Sequence, residues 1–213
     1  MSKNKLKKFA ELVTFPNVIQ GIENLEGDWY TKLFRNDNPC ILELGCGKGE
    51  YTIALAQQMP DKNIIGIDVK GARIWKGAKT ALELNLANAA FLRVPVDFIA
   101  RVFARKKVDE IWLPFPDPFP KERSIKRRLT SSRFLSMYRE ILIKGGNVHL
   151  KTDDMNLYLF SIETVKQEGG EIIRATDDLY QTPQDDDLLA VQTTFELKHL
   201  DAGKTIKYLC FRF

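Results

Sequence analysis

Short apolar runs alternate along the chain with longer segments that carry apolar residues at helical spacing. The runs at 40–44, 64–68, 90–94, 108–114 and 147–151 are nearly continuous hydrophobic stretches, as expected of strands buried on both faces. Segments 51–59, 71–86, 97–105, 131–143 and 156–168 repeat apolar residues every three or four positions, which predicts helices. Strands separated by helix-length segments imply βαβ units, hence a parallel sheet with helices on both faces. Segments 191–199 and 205–213 read as two further strands joined by the glycine-containing turn at 200–204, which predicts a C-terminal antiparallel hairpin. The expected class is α/β, with a mostly parallel sheet of seven strands.

The chain has 213 residues, of which 44% are hydrophobic, enough for one core of ordinary size. A basic N-terminal arm with a lead-in helix is expected over 1–37 and a single domain over 38–213. No apolar run is long enough to span a membrane, and the lysine-rich N-terminus has no hydrophobic leader region. Cys40, Cys46 and Cys210 are odd in number and lack metal-ligand spacing, so reduced thiols in a cytoplasmic protein are expected, with no metal. The aspartate-rich segment 177–189 reads as a solvated, mobile loop. His149 sits in an apolar strand and reads as core, and His199 has no evident partner.

The run Glu43-Leu44-Gly45-Cys46-Gly47-Lys48-Gly49 follows the first strand and opens a helix. Ligands of open α/β sheets bind at the carboxyl ends of the strands, and glycines there let a ligand approach the backbone. The spacing is G-x-G-x-G rather than the dinucleotide G-x-G-x-x-G, and Glu43 places negative charge where a pyrophosphate would lie. A cationic or zwitterionic ligand such as S-adenosylmethionine suits the turn better, with Gly45 and Gly47 against it. Asp68 ends the second strand about 20 residues beyond the glycines, where a carboxylate accepts from ribose hydroxyls.

After the fourth strand, Leu113-Pro114-Phe115-Pro116-Asp117-Pro118-Phe119-Pro120 has four prolines, which forbid a helix and make a rigid loop around one carboxylate. The residues that follow hold Lys121, Arg123, Lys126, Arg127, Arg128 and Arg133 against Glu122 alone. That surplus of five exceeds the net charge of the whole chain, +4. Beside a rigid carboxylate loop it suits phosphate contacts by Lys126, Arg127 and Arg128, although a charge run is commonly only a solvated helix start.

At these residues the chain resembles the bacterial tRNA (guanine-N7-)-methyltransferases, which act on guanine 46 of the variable loop. The resemblance covers roughly 38–213 through Glu43–Gly49, Ile65-Gly66-Ile67-Asp68, Phe115–Leu129, Lys151-Thr152-Asp153 and Thr193-Thr194-Phe195-Glu196. It departs from the family pattern at Phe119 (tryptophan), Ser124 (histidine), Pro114 (asparagine) and Pro95-Val96 (Asp-Ala). The resemblance implies a Rossmann-like class I methyltransferase fold, S-adenosylmethionine as cofactor and tRNA as partner. It implies cofactor contacts by Glu43, Gly45, Gly47, Asp68, Pro95, Val96 and Asp117, with Asp117 also catalytic. It implies substrate contacts by Lys121, Arg123, Asp153, Thr193 and Glu196. From the residues alone, Asp153 also reads as a helix N-cap, and Thr193 and Glu196 as a half-exposed strand. A monomer or homodimer is expected, with no obligate protein partner.

Two other readings stay open on sequence: a methyltransferase of the same fold acting on a small molecule or protein, and a non-catalytic RNA-binding protein with a degenerate cofactor pocket. Hydride transfer disagrees with both the glycine spacing and Glu43. Lys3, Lys5, Lys7 and Lys8 add a second basic segment, so the rest of the chain is slightly acidic.

Overall fold

The computed structural model describes residues 3–25, 29–103, 107–181 and 187–213. The chain forms two compact units, residues 1–102 and 103–213.

The first unit contains α1 (Lys3–Leu12), β1 (Val18–Gln20), α2 (Trp29–Phe34), β2 (Cys40–Leu44), α3 (Glu50–Gln58), β3 (Asn63–Ile67), α4 (Gly71–Glu83), β4 (Ala89–Arg93) and α5 (Ile99–Val102). Its strands run β1-β4-β3-β2, all parallel. Every residue of β2 and β3 is buried, which is why both read as uninterrupted apolar runs. Phe91 of β4 fills the space left by three glycines. A Cβ on Gly49, Gly66 or Gly77 would come within 2.5, 2.9 or 2.8 Å of its ring. The N-terminal segment adds β1 to the sheet edge and residues 171–176 add a further strand, while 191–199 is not one, so the described residues hold eight strands where seven are expected. The predicted helix 97–105 is a 3₁₀ turn, Val96–Phe98, followed by α5; residues 104–105 lie outside the described residues.

The second unit contains β5 (Val108–Pro114), α6 (Ser132–Ile141), β6 (Leu142–Thr152), α7 (Met155–Gln167), β7 (Glu171–Thr176), α8 (Asp187–Ala190), α9 (Thr194–Asp201) and β8 (Lys207–Arg212). Its strands run β5-β6-β8-β7; β5 and β6 are parallel, and β8 is antiparallel to both neighbours. The mixed α/β class with a C-terminal antiparallel pair is as expected, but β8 pairs with β7 and not with 191–199. From Thr194 onward that segment is helical, because Thr193-Thr194-Phe195-Glu196 opens α9: the Thr193 hydroxyl accepts from the Glu196 N–H at 3.2 Å.

The acidic segment is not simply solvated. Leu179 is buried and donates its N–H to Ile206 O at 2.7 Å, and Leu189 is buried as well. Asp185 and Asp186 lie outside the described residues. All three cysteines are buried, and none forms a disulfide. Among the described residues no helix is long and apolar enough to cross a membrane, and no cluster of His, Cys, Asp and Glu could hold a metal ion.

Candidate functional site

In the first unit three connections leave the carboxyl ends of parallel strands: the glycine turn after β2, Asp68 after β3, and Pro95-Val96 after β4. Gly45, Gly47 and Gly49 all have positive φ (78°, 55° and 71°), a backbone that side chains rarely adopt. A Cβ on Gly45 would meet nothing within 4 Å, and one on Gly47 only Gly45 O at 3.9 Å, so the turn presents bare backbone to open space. Asp68 fixes this arrangement. Its Oδ2 accepts from Gly47 N–H at 3.0 Å and its Oδ1 from Lys70 N–H at 2.8 Å. Each carboxylate oxygen retains a lone pair for a further donor such as a ribose hydroxyl. Pro95 is exposed and Val96 half-buried, an apolar edge suited to a flat ring.

Glu43, expected from its place in the motif to face the ligand, is turned into the interior. It is only 3% exposed, and its Oε2 accepts from both the N–H (2.7 Å) and the hydroxyl of Thr52 in α3. Burial pushes its pKa up to about 8, against the Thr52 bonds that lower it, so the carboxyl is mostly protonated at neutral pH. Its work here is to pin the start of α3 behind the glycine turn.

In the second unit the proline-rich segment leaves β5 as an extended loop and turns into a 3₁₀ stretch, Glu122–Arg127. Asp117 stands exposed at its middle. The flanking Phe115 and Phe119 both have positive φ, 53° and 41°, uncommon for aromatic residues and found where surroundings hold the chain in place. Phe115 N–H donates to Lys151 O at 2.8 Å. Arg128, expected to grip phosphate, instead turns inward: it is 6% exposed, Nε donates to Pro118 O (2.8 Å) and Nη2 to Phe119 O (3.3 Å), and the guanidinium lies 4.5 Å from the centre of the Phe160 ring. With two of its five donors on loop carbonyls and its body buried, the guanidinium braces the loop. Lys121, Arg123, Lys126 and Arg127 remain exposed, Arg127 stacked 4.5 Å from the Phe119 ring centre.

Glu196, expected to face the substrate, lies in the interior. Its side chain is wholly buried and pairs with Lys151, Oε1 at 2.7 Å and Oε2 at 3.0 Å. Lys151 Nζ also donates to Val191 O (2.9 Å) and Leu189 O (3.3 Å), and Tyr180 donates its hydroxyl to Glu196 Oε1 at 2.6 Å. Burial drags the Lys151 pKa down despite the carboxylate beside it, and burial with Glu196 pushes the Tyr180 phenol well up. The carboxylate is thus enclosed by Lys151 and Tyr180 and closed to solvent. Tyr180 was not legible as part of the site, since an aromatic residue in an acidic segment carries no signal of its own.

Asp153 is the half-exposed carboxylate of this group. Its Oδ2 accepts from Lys204 Nζ at 2.6 Å and lies 3.4 Å from His199 Nδ1, so His199 does have a partner. The N-cap of α7 is Asp154, not Asp153: Asp154 Oδ1 accepts from Leu157 N–H at 2.7 Å. The exposed ring of Phe195 bridges Phe115 and His199, with centroids 5.2 and 4.3 Å away. His149 is core as expected, stacked on Trp112 and bonded to Tyr208.

Comparison with known proteins places these features in context. Residues 37–209 match the model of a family described as "Putative methyltransferase". A tRNA (guanine-N(7)-)-methyltransferase of Christiangramia forsetii is 46% identical over 99% of this chain and 98% of its own length. A protein of the same name from Porphyromonas gingivalis is 46% identical over 97% of this chain and 86% of its own. Among solved structures, the 16S rRNA methyltransferase KamB matches 88% of this chain and 94% of its own at a TM-score of 0.65 and 13% identity. A 16S rRNA (adenine(1408)-N(1))-methyltransferase variant solved with its cosubstrate matches 87% of this chain and 90% of its own at a TM-score of 0.56 and 13% identity. These structures share the fold.

Proposed function

The chain belongs to the tRNA (guanine-N(7)-)-methyltransferase family, and on that premise we propose that it methylates N7 of guanine 46 in the variable loop of tRNA, with S-adenosylmethionine as the donor. The observation that carries the reading is the Asp117 loop: a lone exposed carboxylate between two aromatic residues of positive φ, locked by Arg128. Bound S-adenosylmethionine supplies a methyl group made electrophilic by its sulfonium.

Guanine N7 carries an in-plane lone pair and no proton, so no general base is needed to expose it. The protein's task is to hold the nucleophile in line with the methyl carbon, about 3–3.5 Å away. Asp117 stabilises the positive charge that the guanine ring acquires as methyl transfer proceeds. A carboxylate on the other edge of the base can accept from guanine N1–H and the 2-amino group together, a pattern adenine lacks. Gly45, Gly47, Asp68, Pro95 and Val96 hold the donor. Asp68 takes the ribose hydroxyls, and the bare glycine backbone leaves room for the amino-acid end. Lys121, Arg123, Asp153 and Thr193 surround the guanosine, while Glu196 acts from behind by fixing Lys151. Lys126 and Arg127 contact phosphates of the flexed RNA, since a base that reacts in a pocket must leave its stack. The cytoplasm, where tRNA matures, is the expected compartment.

The test is methyl transfer from labelled S-adenosylmethionine to bulk tRNA by the wild-type protein and Asp117→Asn. Loss of one electrostatic stabiliser costs about 10²–10³ in kcat. Equal rates for the two proteins would remove Asp117 from the chemistry.

A further inference from the structure

The second basic segment of the sequence is not a loose tail. The α1 helix is anchored on α4: Trp75 donates its indole N–H to Glu11 Oε2 at 2.7 Å, Asn17 Nδ2 donates to Ala78 O at 3.0 Å, and Phe9 lies against Gly71 and the Arg93 guanidinium. Ile74, Ala78 and Ala81 are buried, so Arg73, Lys76 and Lys79, at three-residue spacing, project outward. The packing brings Lys8 of α1 beside this row, while Lys5 and Lys7 stand exposed on other sides of the same helix. Trp75 gathers charge from both helices, with Lys8 Nζ 4.6 Å and Lys79 Nζ 5.2 Å from its ring centre. These two ammonium groups therefore lie within about 10 Å of each other, the Debye length near 0.1 M salt, and repel.

Little on this face neutralises Lys8, Arg73, Lys76 and Lys79. Glu11 is engaged by Trp75, and Glu83 lies 3.9 Å from Lys79 in an exposed pair of small energetic value. Lys5, Lys7, Arg73 and Lys76 form no ion pair among the described residues. A rigid ridge of like charge destabilises the free protein and gains when a polyanion covers it. Building on the tRNA reading above, we propose that the α1–α4 face of the first unit is a further tRNA contact surface that binds backbone phosphates and reads no base. Its exposed, long cationic side chains match the regular charge of an RNA strand, and none of them belongs to the proposed cofactor or guanosine contacts.

The experiment measures tRNA affinity against salt concentration for the wild type, Arg73→Glu/Lys76→Glu, and a control, Lys144→Glu/Lys166→Glu, on exposed positions of the second unit. Each phosphate contact contributes about 0.7–0.9 to the slope of log K against log salt, so loss of two lowers its magnitude by about 1.4–1.8. The α4 variant is expected to show that change and at least about tenfold weaker binding near 0.1 M salt. The control is expected to keep the wild-type slope, and neither variant should unfold at a lower temperature than the wild type, since every altered side chain is exposed. Wild-type affinity and slope in the α4 variant, or an equal loss in the control, would overturn the surface alone. Failure of the wild type to bind tRNA would overturn the activity and the surface together.

Discussion

Replacing Glu196 by glutamine removes one charge from a pair whose side chains are both wholly buried. The Lys151 ammonium keeps the Val191 and Leu189 carbonyls and the Tyr180 hydroxyl, but loses its carboxylate contacts at 2.7 and 3.0 Å. Breaking a buried pair from one side costs about 3–5 kcal/mol, and the retained acceptors place this case near about 3. That is a large share of a total stability of about 5–15 kcal/mol. Urea unfolding followed by circular dichroism should show a lower midpoint with an unchanged slope, which marks a loss of stability rather than a change in the denatured state. The double variant Lys151→Met/Glu196→Leu removes both charges and should recover most of the loss. If Glu196 touched guanine, Glu196→Gln would instead unfold within about 0.5 kcal/mol of the wild type while methyl transfer collapsed. That result would refute the assignment of Glu196 to the interior.

Other substitutions test separate parts of the structure. Glu43 holds its proton to about pH 8 in the folded chain but to about 4.5 when exposed, so folded protein binds the extra proton between these values. Stability due to Glu43 is therefore full below the lower value and lost as pH rises through the upper. Between pH 5 and 8 the wild type should lose up to about 4 kcal/mol that Glu43→Gln does not, at about 1.4 kcal/mol per unit; parallel pH profiles of unfolding free energy would contradict this. Gly49→Ala places a Cβ 2.5 Å from the Phe91 ring at a φ of 71°, for a cost of about 2–4 kcal/mol by denaturant titration. Gly45→Ala, with open space around its Cβ, should cost about 1–2 kcal/mol. Arg128→Lys loses the two-carbonyl clamp on the Asp117 loop and should lower both stability, by about 1–3 kcal/mol, and kcat; a loss confined to tRNA affinity would return Arg128 to the phosphate contacts.

What could be read from the sequence was what local pattern controls. The bounds of β2 and β5 follow from their apolar runs, and the glycine turn follows from a backbone that needs positive φ at Gly45 and Gly47. The segment 191–199 misled because its apolar spacing fits a strand, while Thr193 and Glu196 are also a helix start, and the cap decided. Strand β7 escaped notice because most of its residues are exposed and its apolar run is short. In the site, residue types near Asp117 were legible, but side-chain direction was not. Arg128 looks like its basic neighbours in sequence, yet the carbonyls of Pro118 and Phe119, ten and nine positions away, draw it inside. The Lys151–Glu196 pair joins residues 45 positions apart, beyond any local signal. His199 found its partner in Asp153 only once α9 had formed.

The central claim, methyl transfer to guanine N7 in tRNA, is tested most directly by incubating bulk tRNA with the protein and S-adenosylmethionine, then cleaving chemically at 7-methylguanosine and mapping the break. The account predicts a single new cleavage at guanine 46 of the variable loop. Labelled tRNA that resists cleavage, or cleavage confined to another position, would contradict it.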